Sequence, residues 1–174
     1  MSKGHLVATS TSTTMSIIKS SYAKSWNVQV GEVVFNWEKV GDHSSSSFDL
    51  IGQVKLPAKS YVMDVQVHGV TLWDSGAAVS LIVGDQDDDN GFYEATNLKS
   101  GGALTAGEVF AFNHDGGEKG AYVTDDDGAL GGYSASARTV IGKVTVTNHG
   151  TAVSAGETRM LVVYCCPPVD TIEP

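Results

Sequence analysis

The residues best placed to do chemistry in this chain are acidic. Asp85, Asp87 and Asp89 lie within the run Asp85-Gln86-Asp87-Asp88-Asp89-Asn90-Gly91. Carboxylates at positions one, three and five of a loop open an EF-hand, whose hard oxygen ligands suit calcium. The pattern then departs from that loop. Its sixth position is Asn90 rather than glycine, its twelfth is Thr96 rather than glutamate, and no helix-forming run flanks it. Asp125, Asp126 and Asp127 would add carboxylates if the two loops met at one end of the fold. The choice is between a calcium site and a solvated acidic loop, and the departures favour the loop, so no metal or cofactor is expected.

Nucleophilic and acid–base chemistry have less support. His5, His43, His68, His114 and His149 are scattered, with no His-x-His or His-Glu-x-x-His spacing. Ser44 to Ser47 form a polar run without the Gly-x-Ser-x-Gly elbow of a hydrolase. The pairs Gly101-Gly102 and Gly116-Gly117 lack the strand-to-helix setting of a phosphate cradle and read as turns. Cys165 and Cys166 are adjacent. Neighbours on a strand point to opposite faces, so one inward and one outward thiol is expected, with a single intermolecular disulfide as the alternative. Trp26, Trp37, Trp73 and Tyr93 would stack on sugar rings if exposed, and would fill a core if buried. No catalytic residue emerges, and the chain is not expected to be an enzyme.

The elements around these residues read as strands. Tyr61, Met63, Val65 and Val67 alternate with polar residues, and Val79, Leu81 and Val83 alternate again. That period of two marks strands with one buried face. Joined through Trp73-Asp74-Ser75-Gly76 and closed by the acidic loop, the stretch from Val54 to Asp89 is expected to form a central hairpin. Before it, a strand from Trp26 to near Val40 carries Val28 and Val30 on one parity but Val33, Phe35 and Trp37 on the other, which suggests a bulge near Gly31. Phe48–Leu56 returns as a second strand, and Pro57 ends it.

Later in the chain, Phe92–Thr96, Val109–Phe112, Arg138–Thr147 and Thr158–Cys165 have strand character, the last apolar enough for burial on both faces. Asn148-His149-Gly150 reads as a turn, and Pro167-Pro168 as a stop. About eight strands at these spacings imply an all-β, two-sheet antiparallel sandwich. Residues 26–168 form that domain, 1–25 an extended N-terminal arm, and 169–174 a short tail. The arm is rich in Ser and Thr, holds three Lys, and has apolar islands at Leu6-Val7 and Ile17-Ile18. Either it frays, or it orders on a neighbouring subunit.

The 174 residues suit one domain with a real core, and 20 Gly with frequent Ser, Thr and Val fit many strands and turns. A net charge of −9 with only 11 Lys plus Arg argues against a nucleic-acid or anionic-membrane partner, since phosphate neutralisation needs clustered positive charge. No apolar run approaches the roughly 20 residues of a membrane helix. The N-terminus lacks the apolar core and cleavage pattern of a signal peptide, so synthesis in a cytoplasm without export is expected.

Three phrases carry a resemblance. Leu56-Pro57-Ala58-Lys59-Ser60-Tyr61 with the valine-rich strand to Val67, Val79–Phe92 with its Gly84-Asp85 and acidic loop, and Gly142–Thr147 followed by Ala152–Tyr164 resemble segments of small structural proteins of tailed bacteriophages. They span about Val54 to Pro167, whereas Trp26 to Gln53 has no such counterpart. The resemblance implies a jelly-roll-like virion protein of the capsid decoration or cement type, a homotrimer on the capsid exterior with the major capsid protein as partner. Phage neck or tail modules share such domains, and a carbohydrate-binding sandwich is a further alternative.

Overall fold

The computed structural model describes residues 27–40, 47–74, 78–99, 104–112, 119–124, 132–147 and 154–166. The arm 1–25, the tail, Asp125–Asp127, both glycine pairs, the Asn148–Gly150 turn and every histidine except His68 lie outside the described residues.

Alternation of apolar and polar side chains builds nine strands among the described residues: β1 (Asn27–Asn36), β2 (Phe48–Leu56), β3 (Ser60–Thr71), β4 (Ala78–Gly84), β5 (Tyr93–Asn97), β6 (Val109–Phe110), β7 (Tyr133–Ser134), β8 (Arg138–Thr147) and β9 (Glu157–Cys166). A 3-10 turn, Trp37–Val40, follows β1, and one helical turn spans Ala121–Thr124. The first sheet has the order β1-β9-β3-β6, with β7 also on β3, and the second has the order β2-β8-β4-β5. The strand pairings between named strands are antiparallel. Apart from β4 to β5, each step along the eight main strands crosses from one sheet to the other, the double wrap of a jelly roll.

The core lies between the sheets. Val65, Val67 and Val162 from the first face Leu81, Val83 and Val144 from the second, all inaccessible to solvent. Every second residue of β4, β9 and most of β8 is thereby removed from water, which supplies most of the drive to fold.

Two expectations about pairing are corrected. β3 and β4 do not form a hairpin: β3 pairs β9 in the first sheet, and β4 pairs β8 and β5 in the second. Alternation shows which face a strand buries but carries no information about its partner. Nor is there a bulge at Gly31, because β1 holds unbroken register with β9 from Asn27↔Cys166 to Asn36↔Glu157. Val28 and Val30 instead point outward while Phe35 points into the core, so β1 is apolar on both faces. Bulges do occur in β3, between Val62 and Asp64 and between Gly69 and Thr71.

Close approach of the sheets at the β1/β2 edge depends on two glycines. A methyl group at Gly31 would lie 2.3 Å from Val54 Cγ1, and one at Gly52 would lie 2.1 Å from Val33 Cγ1. Gly52→Ala is expected to cost about 1–3 kcal/mol through overpacking, and adding Val33→Ala should restore part of that loss. Denaturant midpoints of the single and double variants check this, and a double variant no better than Gly52→Ala would refute the steric account.

Candidate functional site

At one end of the sandwich the acidic loop is built around Asp85, which follows β4 and is only 6% exposed. Its Oδ1 accepts the backbone N–H groups of Asp87 at 2.9 Å and Asp88 at 3.1 Å, and the Tyr122 hydroxyl at 3.0 Å. Its Oδ2 faces Arg138 Nη1 at 3.5 Å. Arg138, from the start of β8, also donates through Nη2 to the Gly132 carbonyl at 3.1 Å, and its guanidinium lies 5.5 Å from the Phe92 ring centroid, within cation–π range. Phe92 in turn stacks with Phe112 and meets Tyr122 edge-on.

Electrostatics follow from this packing. Burial lowers the Arg138 pKa from its ordinary value, while the Asp85 carboxylate opposes that shift. Burial, together with the bond donated to Asp85, raises the Tyr122 pKa and keeps its hydroxyl protonated. The carboxylate is thus neutralised by a guanidinium and wrapped by donors. A cation at Asp85 would have to displace Arg138.

The one-three-five pattern therefore does not act as one set. Asp85 turns inward, contrary to a wholly solvated loop, while Asp87 and Asp89 face water, Asp89 lying 3.8 Å from Lys143 Nζ. Among the described residues no group of three or more His, Cys, Asp or Glu side chains could hold a metal ion. His68 is half-buried on the outer face of β3, opposite Arg159 and Val109.

The opposite end is tied differently. Asp74, after β3, accepts the Ser154 hydroxyl and the backbone N–H groups of Ser154 and Ala155, which precede β9. Partial burial pushes its pKa up, but these hydrogen bonds outweigh it and hold the carboxyl below its ordinary value. Trp73 is buried and donates its indole N–H to Thr158 Oγ1 at 3.0 Å.

The aromatic residues considered for sugar stacking are elsewhere. Trp73 and Tyr93 are core side chains, Tyr93 donating to the Val65 carbonyl at 2.9 Å, and Trp37 packs half-buried against the core. Trp26 lies outside the described residues. The thiols divide as their parity requires: Cys166 is buried, and Cys165 is half-covered on the outer face with its pKa raised by burial.

What pattern reading missed is the outer face of the first sheet. Register aligns Val28, Cys165, Tyr61 and Tyr133 in one row across four strands, and Val30 with Val163 in the next, where the bulge adds Met63. Val28 is 61%, Val30 58%, Tyr133 55% and Met63 48% exposed. The available signal was a β1 apolar on both parities. These side chains form contiguous exposed apolar surface on the described part of the sheet.

The sequence matches no protein-family model, and no curated protein matches it. Among solved structures, a chain of the cyanophage Pam1 capsid asymmetric unit is similar in fold, with a TM-score of 0.50 and 19% identity, over 82% of this chain and 86% of that one. A chain of the acid-stable capsid of Helicobacter pylori bacteriophage KHP30 matches with a TM-score of 0.46 and 14% identity, over 83% of this chain and 92% of that one.

Proposed function

We propose that this chain is a non-enzymatic structural protein of a bacteriophage virion, one that decorates and cements the capsid shell. It is made in the host cytoplasm, assembles on the capsid exterior as a homotrimer, and uses residues 1–25 to contact the major capsid protein or sibling subunits. The observation that carries this reading is the jelly-roll wrap, similar over most of its length to a chain of the Pam1 capsid. The exposed apolar rows on β1, β9 and β3 support it, since a cement must offer surface to neighbours. Binding at many symmetry-related sites would then resist internal pressure through avidity.

The test is co-sedimentation of the purified protein with capsids that lack it. Full-length protein is expected to be retained in multiples of three copies. A chain lacking residues 1–25 should still fold and melt cooperatively but lose retention by about tenfold or more, since linked contacts multiply affinity. Full retention without the arm would remove the arm from the mechanism. Binding to isolated tails or necks but not to capsids would move the protein to those parts of the virion.

A further inference from the structure

We infer that, before assembly, residues 1–25 fold back onto the outer face of β1, β9 and β3 of the same chain and cover its apolar rows. Three observations identify this occupant. The first is area. Strands about 4.8 Å apart and rising about 3.4 Å per residue make the apolar rows a patch about 15 Å across the strands and about 7 Å along them, whereas a stable interface between folded bodies covers about 800 Å² on each partner. The patch fits an extended segment better than a second domain.

The second is position. The chain enters the body at Asn27, next to Val28, the outermost residue of the first apolar row. Twenty-five residues reach about 85 Å when extended, ample to turn back across the face. A tether this short also gives an effective concentration on the order of millimolar, which favours the attached sheet over that of a dilute neighbour.

The third is charge. Residues 1–25 carry Lys3, Lys19 and Lys24 and no acidic side chain, so the remainder of the chain is three charges more negative than the −9 of the whole. Beside the apolar rows, Glu32 is paired with Arg159 at 3.5 Å and Asp64 accepts from Gln66 and the Phe112 N–H, so the attraction comes from the net charge of the body rather than from one carboxylate. Apolar islands at Leu6-Val7 and Ile17-Ile18, flanked by Lys3, Lys19 and Lys24, match an apolar surface on a body of net negative charge. The covered state would keep the face from associating until a capsid competes for the segment.

Cys165 lies within the first row and reports on its coverage, while Cys166 is buried beneath the sheet. The experiment measures maleimide labelling of Cys165 in the free full-length protein, with Cys165→Ser as the blank. Replacing Leu6, Val7, Ile17 and Ile18 together by Asp in the full chain is expected to raise the labelling rate at least about tenfold, as when a covering segment no longer has to open. Lys3→Glu, Lys19→Glu and Lys24→Glu together should act in the same direction. Protection should be unchanged on dilution of the native chain.

Equal rates in the native chain and both variants would overturn the inference. So would protection that fades on dilution, which places the segment on another copy. The inference shares with the proposed function only the separateness of residues 1–25. No capsid enters this experiment, so its failure would leave the retention test standing.

Discussion

Asp85→Ala is expected to destabilise the protein by about 3–5 kcal/mol, because removing one partner of a buried ion pair strands the other. Arg138 is only 11% exposed at its side chain, and its guanidinium would remain beneath the loop with no carboxylate opposite. The backbone N–H groups of Asp87 and Asp88 and the Tyr122 hydroxyl would lose their acceptor in the same step. Unmet donors at partly buried positions add to the cost.

Arg138→Met, which keeps bulk and removes charge, should cost a similar amount by leaving the Asp85 carboxylate unneutralised. The double variant should cost less than the two losses summed, since neither then abandons a buried charge. Urea midpoints of the three variants check this. A loss below about 1 kcal/mol for Asp85→Ala would show that the pair behaves like an exposed one.

At the other end, Gly156→Ala is expected to cost about 3–5 kcal/mol, combining backbone strain with overpacking. Gly156 has φ of +151°, and a methyl group there would lie 2.4 Å from Trp73 Cδ2. The indole cannot retreat freely, because its N–H is held by Thr158 and its ring is enclosed in the core. The Gly156 carbonyl also accepts the Trp37 N–H at 3.0 Å, so a shifted backbone would loosen the end of β1 as well.

For a domain of this size, such a loss lowers the melting temperature by about 10 °C. Thermal unfolding of Gly156→Ala tests the expectation, with Ala155→Gly as a control that removes a side chain without touching φ at 156. A Gly156→Ala protein melting within about 2 °C of the native one would refute it.

The two ends were unequally legible. Asp85, Asp87 and Asp89 stood out by spacing, and that spacing pointed to calcium. The inward turn of Asp85 depends on Arg138, 53 positions away, and on Tyr122 from a separate helical turn. The role of Gly156 had no local signal, since a glycine before a strand reads as a turn residue whether or not a tryptophan lies against it.

Strand identity, by contrast, was written in the alternation of Val65, Val67, Leu81 and Val83, because a pleated chain shows its faces in turn. The all-β class, most strand positions and the opposite orientation of Cys165 and Cys166 followed from that rule alone. Which strand lies beside which did not. The pairing of β3 with β9 and of β4 with β8 joins segments far apart in the chain, and many partners satisfy the same alternation. Only closure of the two sheets over a single core selects among them. That closure places Val28 and Val30 outside, in line with Tyr61 and Met63, where burial of the opposite parity leaves them no room within.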